Sequence, residues 1–334
     1  MVFTIVISIL LFLSLVLIHE WGHFIIAKKS GIKVNEFAIG MGPSIYKKQK
    51  GETLYRINIF PIGGYCAMEG EEDGSDDPRS FNNASPVKRL FTVLAGPFMN
   101  IVLAIVIYSI VVFNTGVASP TIGNIMDDSP AAMSGLKAGD TFLAIDNENI
   151  QEFSDISEIL AKHKEGESLT VTVLRDNEKM NFDIKPVEEE GRLVLGVESA
   201  PRKVGFFEAI KIGFIQAFTM LGMIVKILGA LFTGKIGLSS LSGPVGVVKE
   251  LGNQAQVGFL NLLNFFAYIS LNLGFFNLIP IPALDGSKIL SSLYEIITKK
   301  KVNKKLSMIA TEVGFVFLLA LIFIVSVKDI MNLF

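Results

Sequence analysis

The sequence predicts an α-helical polytopic membrane protein of about four transmembrane helices, interrupted by one soluble α+β insert. Three observations predict it. Half of the 334 residues are hydrophobic, the mean hydropathy is +0.51 and only 19% are charged, against about 25% charged in a typical soluble domain. Four stretches approach the roughly 20 apolar residues that span a bilayer core as a helix: Val2 to Ala27, Leu90 to Phe113, about Val257 to Ile279 and about Leu306 to Val327. Between the second and third, from Ser119 to Val187, the composition becomes that of a soluble domain.

The first span opens with seventeen uncharged residues, Val2 to Ile18, and then reads HEWGH. It lacks a basic start and a small-residue cleavage site, so it reads as a retained span rather than a secretory signal. Lys28, Lys29, Lys33, Lys47, Lys48 and Lys50 follow it, Lys88 and Arg89 precede the second span, and Lys299, Lys300, Lys301, Lys304 and Lys305 lie between the last two. The positive-inside rule makes these loops cytoplasmic. The N-terminus, the segment from 114 to about 255 and the C-terminus are then expected outside. Net charge is only −2 and no basic block stands apart from the membrane flanks, so no nucleic-acid surface is expected and the partners are lipid and protein. Cys66 is the sole cysteine. It excludes an intrachain disulfide and a cysteine-spaced zinc finger, and reads as packing.

HExxH places His19 and His23 on one helix face, where both imidazoles can reach one ion. Glu20, one step round, can take a proton from a water held there. Zinc suits imidazole ligands and an open fourth position. Two of the three histidines fall in this one motif, which speaks against chance, and ionisable groups in a span are costly without a function. His163, in the insert, is a poor third ligand and reads as a surface residue. The better candidate is Asp285 in SLNLGFFNLIPIPALDGSKIL, the first charge after an uncharged stretch that begins at Leu251. Pro280 and Pro282 break the helix there and free backbone groups that lipid cannot satisfy. The competing reading of Asp285 is an interfacial helix cap.

Between the first two spans, VNEFAIGMGPSIYKKQ, KGE and TLYRINIFPIGGY read as a hairpin or small sheet, with Tyr55, Ile57 and Ile59 alternating against Arg56 and Asn58. The insert carries short strands, a short helix over Ile156 to His163 and a hairpin around Asp176 and Asn177. Its SPAAMSGLKAGD followed by AIDNENI resembles the PDZ domains of bacterial envelope proteases, one copy over about residues 117–190, which implies a groove that takes an extended peptide as an added strand. The stretch Gly205 to Phe232 is apolar but contains Glu208, Lys211 and Lys226. It reads either as an interfacial amphipathic helix gating entry or as simple packing against the spans.

HExxH in the first span, AGPFMN (95–100) in the second and NLIPIPALDG (277–286) in the third together resemble the site-2 protease family of intramembrane zinc metalloproteases. GMGP (40–43), FPIGGY (60–65), LSGPVG (241–246) and the PDZ-like insert point to its bacterial RseP-type branch. The resemblance implies Asp285 as third zinc ligand beside His19 and His23, Glu20 as catalytic residue, and Asn277 engaging substrate. Asn272 matches a second family asparagine, with a helix–helix hydrogen bond as the alternative. It also implies that residues 30–86 form a sheet on the cytoplasmic side of the membrane whose open edge pairs with unwound substrate, against a purely structural hairpin. The expected activity is zinc-dependent cleavage of single-pass membrane proteins within their transmembrane segment, with membrane-anchored anti-sigma factors and signal-peptide remnants as substrates, in a bacterial cell membrane. The insert would bind a freshly cut C-terminus or act as a size filter. If Gly205 to Phe232 crossed the membrane, Asp285 would emerge on the side opposite His19 and His23, so four crossings are expected. The alternatives in other classes are a non-catalytic PDZ-containing membrane scaffold and a divalent-metal carrier; the latter has too few intramembrane ligands for an exit site.

Overall fold

The computed structural model describes residues 2–71, 75–189, 191–237 and 242–331, and the chain divides into two compact units, 1–110 with 210–334 and 111–209. The first unit begins with α1 (Val2–Lys29), whose last turn carries Lys28 and Lys29, a favourable charge at a helix C-terminus. Two long strands follow, β1 (Val34–Lys50) and β2 (Thr53–Met68), reversing at Gly51 with φ +61°. They fold over one another, so that Phe37 lies opposite both Cys66 and Tyr55. Met41, Ile45, Tyr46, Ile57, Ile59 and Phe60 leave large apolar side chains exposed on this sheet. After a 3-10 turn at Phe81–Asn83 comes α2 (Pro86–Thr115).

The second unit contains β3 (Val117–Ile125), α3 (Pro130–Ser134), β4 (Thr141–Ile145), β5 (Glu148–Asn149), α4 (Phe153–Leu160), β6 (Leu169–Arg175), β7 (Glu178–Ile184), β8 (Val187–Glu189), β9 (Arg192–Val194) and β10 (Val197–Arg202). The main sheet runs β10, β3, β4, β6, β7, with β5 on β4. Ile122, Phe142, Ile145, Leu169, Val171 and Val173 fill its core with Ile156, Ile159 and Leu160 of α4. The β6–β7 hairpin turns at Asp176 and Asn177, both at positive φ, as the sequence predicts. Two boundaries differ from expectation. Helix α4 starts at Phe153, before Ile156, because Asp155 accepts the N–H groups of Gln151 and Glu152 at 2.8 and 2.9 Å. The sheet runs past residue 190, because β10 closes on β3 from Val197 opposite Ile125 to Arg202 opposite Val117. Asp140, 1% exposed, anchors this unit: it accepts from Arg175 Nε and Nη2, both at 2.7 Å, and from Lys137 N at 2.8 Å.

The chain continues with α5 (Phe206–Phe232), α6 (Pro244–Val257), α7 (Phe259–Leu278), α8 (Asp285–Thr298) and α9 (Lys304–Met331). Of the LSGPVG motif, Leu241 lies outside the described residues. Glycine serves α6 as N-cap without a side-chain cap; instead Asp329, near the end of α9, accepts the N–H of Gly246 at 2.8 Å. Among the described residues five helices are long and apolar enough to cross a membrane, α1, α2, α5, α7 and α9. That is one more than the four expected, the addition being α5.

Candidate metal centre

Helix α1 presents His19 and His23 one turn apart, 7% and 6% exposed, with their rings edge to face at a centroid distance of 4.8 Å. The third group arrives from the other end of the first unit. Helix α7 stops at Leu278 ahead of Pro280 and Pro282, and Leu284 N–H returns to Ile281 O at 3.1 Å to tighten the turn. Ala283 takes φ +77°, and Asp285 becomes the first residue of α8, where its charge also suits the helix N-terminus. Gly286 follows by necessity, since a Cβ there would lie 2.0 Å from Ile279 O. Gly314 of α9 packs against Pro282 for the same reason, a Cβ there falling 2.4 Å from Pro282 O.

His19 Nε2 lies 3.1 Å from Asp285 Oδ2, His23 Nε2 lies 3.2 Å from the same oxygen, and the two nitrogens are 3.2 Å apart. A tetrahedral ion with bonds of about 2.0–2.1 Å has ligand–ligand edges of about 3.3 Å. The three atoms therefore form one face of such a tetrahedron. The proton inventory agrees. His23 Nδ1 is 2.8 Å from Thr92 O, an acceptor that requires the proton on Nδ1, so the Nε2 lone pair faces a carboxylate oxygen. The His23 lone pair facing a carboxylate oxygen at 3.2 Å calls for a cation between them. The residues fit zinc.

Glu20 Oε2 accepts the backbone N–H of Cys66 in β2 at 3.0 Å. His19, Glu20, His23 and Asp285 line a cavity of about 630 Å³ together with a continuous run of strand and turn, Tyr65 to Glu71. Lys288 pairs with Glu71 at 2.5 Å on its wall. Burial, with the nearby charges of Glu20 and Glu71, pushes the Cys66 thiol up. Cys66 is thus a neutral packing residue that lends its amide, not its sulfur. His163 belongs to the other unit, where its Nδ1 meets Ile159 O at 3.0 Å. Asn277 and Asn272 do not line the cavity, and Asn272 donates to Tyr268 O of its own helix at 2.8 Å.

Sequence reasoning missed the contribution of α2. Thr92, Gly96 and Asn100, four residues apart, share one face, and that face meets both histidines. A Cβ on Gly96 would lie 2.3 Å from His23 Nε2 and 2.9 Å from His19 Cε1. Gly22 of α1 reciprocates, a Cβ there falling 2.4 Å from Ala95 O, so small residues on both helices permit a close crossing. The signal lay in AGPFMN (95–100), singled out for the family resemblance but given no role there: it sets Gly96 and Asn100 four residues apart, on the face that Thr92 begins.

Helices of membrane-spanning length around an HExxH motif and a carboxylate placed as third ligand define a zinc metalloprotease of the membrane-embedded kind. The family description of Peptidase family M50 matches residues 7–321, and the chain belongs to that family, the site-2 proteases. It is 41% identical over 331 residues to a Clostridium acetobutylicum protein bearing a zinc metalloprotease name, covering 98% of this chain and 97% of that one. It is 31% identical to the zinc metalloprotease RasP of Bacillus licheniformis over 417 aligned positions, 99% of each chain. Among solved structures, the PDZ domain of an SdrC-like protein from Listeria innocua is similar over 25% of this chain and 96% of that one, at 20% identity and a TM-score of 0.23.

Proposed function

We propose that the protein is an intramembrane endopeptidase that cuts single-pass membrane proteins within their transmembrane segment. The observation that carries this reading is the triangle of His19, His23 and Asp285 beside Glu20, in helices apolar enough to span. His19, His23 and Asp285 hold the ion; zinc, when bound, supplies the Lewis acidity that polarises a peptide carbonyl and activates water. The Glu20 carboxylate takes the proton of the attacking water and delivers it to the leaving amide nitrogen. The peptide must be extended to enter, because a helical backbone is already hydrogen-bonded and shielded by its own turns. The edge of β2, whose residues Tyr65 to Met68 line the cavity, offers backbone partners for such a strand. Asn277 is assigned to engaging substrate, and Asn272, the second asparagine of the resemblance, to the same role.

Four crossings fit this site. The C-terminal part of α1 and the residue just after α7 must share a membrane side, so α1 and α7 run in the same direction. Helix α6, 14 residues or about 21 Å, is too short to cross, so a crossing by α5 would go uncompensated. Helix α5 is then interfacial, the lysine-rich loops and the metal site lie towards the cytoplasm, and residues 117–190 with β10 form an extracytoplasmic PDZ-like domain. Membrane-anchored anti-sigma factors and signal-peptide remnants are the substrates this arrangement suits.

The test is reconstitution in liposomes with a single-pass substrate, the product ends being mapped by mass spectrometry with and without a zinc chelator. The expected result is a chelator-sensitive cut inside the apolar segment. A cut that persists without metal, or one confined to the substrate's soluble parts, would overturn the reading.

A further inference from the structure

Asn100 of α2 sits where it can decide whether His19 is able to bind metal at all. Asn100 is 0% exposed, and its amide lies 3.3 Å from His19 Nδ1. With the amide nitrogen facing the ring, that nitrogen donates to Nδ1, and the ring proton then sits on Nε2, the atom turned towards Asp285. In this orientation Asn100 Oδ1 is buried with no hydrogen-bond partner among the described residues. A ring protonated on Nε2 has no lone pair for an ion. To ligate, His19 must carry its proton on Nδ1, as His23 does through Thr92 O, and an Nδ1–H facing an NH2 group would set donor against donor.

We propose that Asn100 is a positioning residue for His19: its Oδ1, turned towards the ring, accepts the Nδ1–H and so leaves the Nε2 lone pair free for zinc. The amide oxygen and nitrogen are nearly isosteric, so the turn needs only rotation about the Cβ–Cγ bond. The backbone around it is fixed, because Ser270 Oγ donates to Asn100 O at 2.7 Å and α7 packs closely here, a Cβ on Gly274 falling 2.9 Å from Pro97 O and 3.3 Å from Asn100 Cβ. One helix face then supplies the outer partner of both imidazoles, Thr92 O for His23 and Asn100 Oδ1 for His19, with Gly96 between them giving the rings their space. Outer partners of this kind fix the tautomer and orientation of a ligating histidine.

The inference rests on His19, His23 and Asp285 holding zinc, and the experiment reads metal binding alone, so it stands or falls apart from any cleavage assay. Full-length protein in detergent is stripped of metal and titrated with zinc against a chromogenic chelator, and with cobalt to record the visible ligand-field bands. Asn100→Ala should lower zinc affinity about 10- to 100-fold and alter the cobalt spectrum. Asn100→Asp, which can only accept, should retain wild-type affinity or exceed it. A packing or helix–helix role predicts the reverse order, since the buried carboxylate would then be the worse of the two. If Asn100→Ala does not fold, Asn100→Ser takes its place and must bind more weakly than Asn100→Asp. Unchanged zinc affinity and cobalt bands in Asn100→Ala, or Asn100→Asp weaker than the truncated variant, overturn the proposal. A wild-type protein that binds no zinc would instead overturn the ligand set.

Discussion

Adding one methyl group to α2 should disable the proposed metal centre without replacing any of its three proposed ligands. In Gly96→Ala the new Cβ would lie 2.3 Å from His23 Nε2 and 2.6 Å from His23 Cε1. A comfortable contact is about 3.5 Å, so the ring must retreat by about 1.2 Å. Ligand distances in a working site tolerate about 0.2 Å, so the required shift exceeds that about sixfold. Retreat is also opposed, because His23 Nδ1 is held 2.8 Å from Thr92 O and swinging the ring away breaks that bond. Losing one of three ligands costs at least the about 100-fold at the upper end of losing an outer partner, equivalent to about 2.7 kcal/mol of binding free energy. A chelator-competition titration of detergent-purified protein measures it, with the melting temperature of the metal-free form showing that the helices remain packed. Zinc affinity equal to wild type in a folded Gly96→Ala protein would refute the reasoning, for the rings would then have room that the structure denies them.

Three further outcomes are expected. Glu20→Gln should retain zinc stoichiometry while cleavage of a reconstituted substrate falls by about 100- to 10,000-fold, since the amide keeps the Cys66 contact but cannot accept a proton. Asp140→Asn should destabilise the second unit by about 3 kcal/mol, because it leaves Arg175 without its buried partner; faster hydrogen exchange in β4 and β6 of the intact protein reports it. Burial works against ionisation of Asp140, but Arg175 and the Lys137 amide hold its carboxyl below the usual carboxylate range. Its contribution is therefore complete above the unfolded value of about 4 and is lost as pH falls through the lower folded value, so wild-type β4 and β6 should lose protection in acid while Asp140→Asn shows less of that loss. Asp329→Ala should cost about 1 kcal/mol locally, the scale of a lost helix cap, seen as exchange of the first amides of α6 and not in the metal site.

The sequence made the local parts of the site readable and left the long-range ones open. His19, Glu20 and His23 follow from helical geometry alone, and the chain break that places Asp285 follows from two prolines in an apolar run. The β1–β2 reversal was visible because Gly51 sits between two runs of strand-forming residues. Strand β10 was not visible: VESAPR contains a proline and alternates poorly, and it becomes a strand only because β3 offers it an edge. The start of α4 was missed because Glu152 and Asp155 close it, outside the usual serine or threonine pattern. The part played by Thr92 lies in its backbone carbonyl, which no side-chain pattern announces.

The proposed ligands of the metal centre are also separated in time. His23 and Asp285 lie 262 positions apart, and at about 5–20 residues per second the carboxylate leaves the ribosome about 13 to 52 s after the second imidazole. Through that interval the growing chain holds a base and two nitrogens but no third donor, and β2 can already pair with Glu20. A protease that must be inserted among other newly made apolar helices therefore remains unarmed until its own bundle is nearly complete.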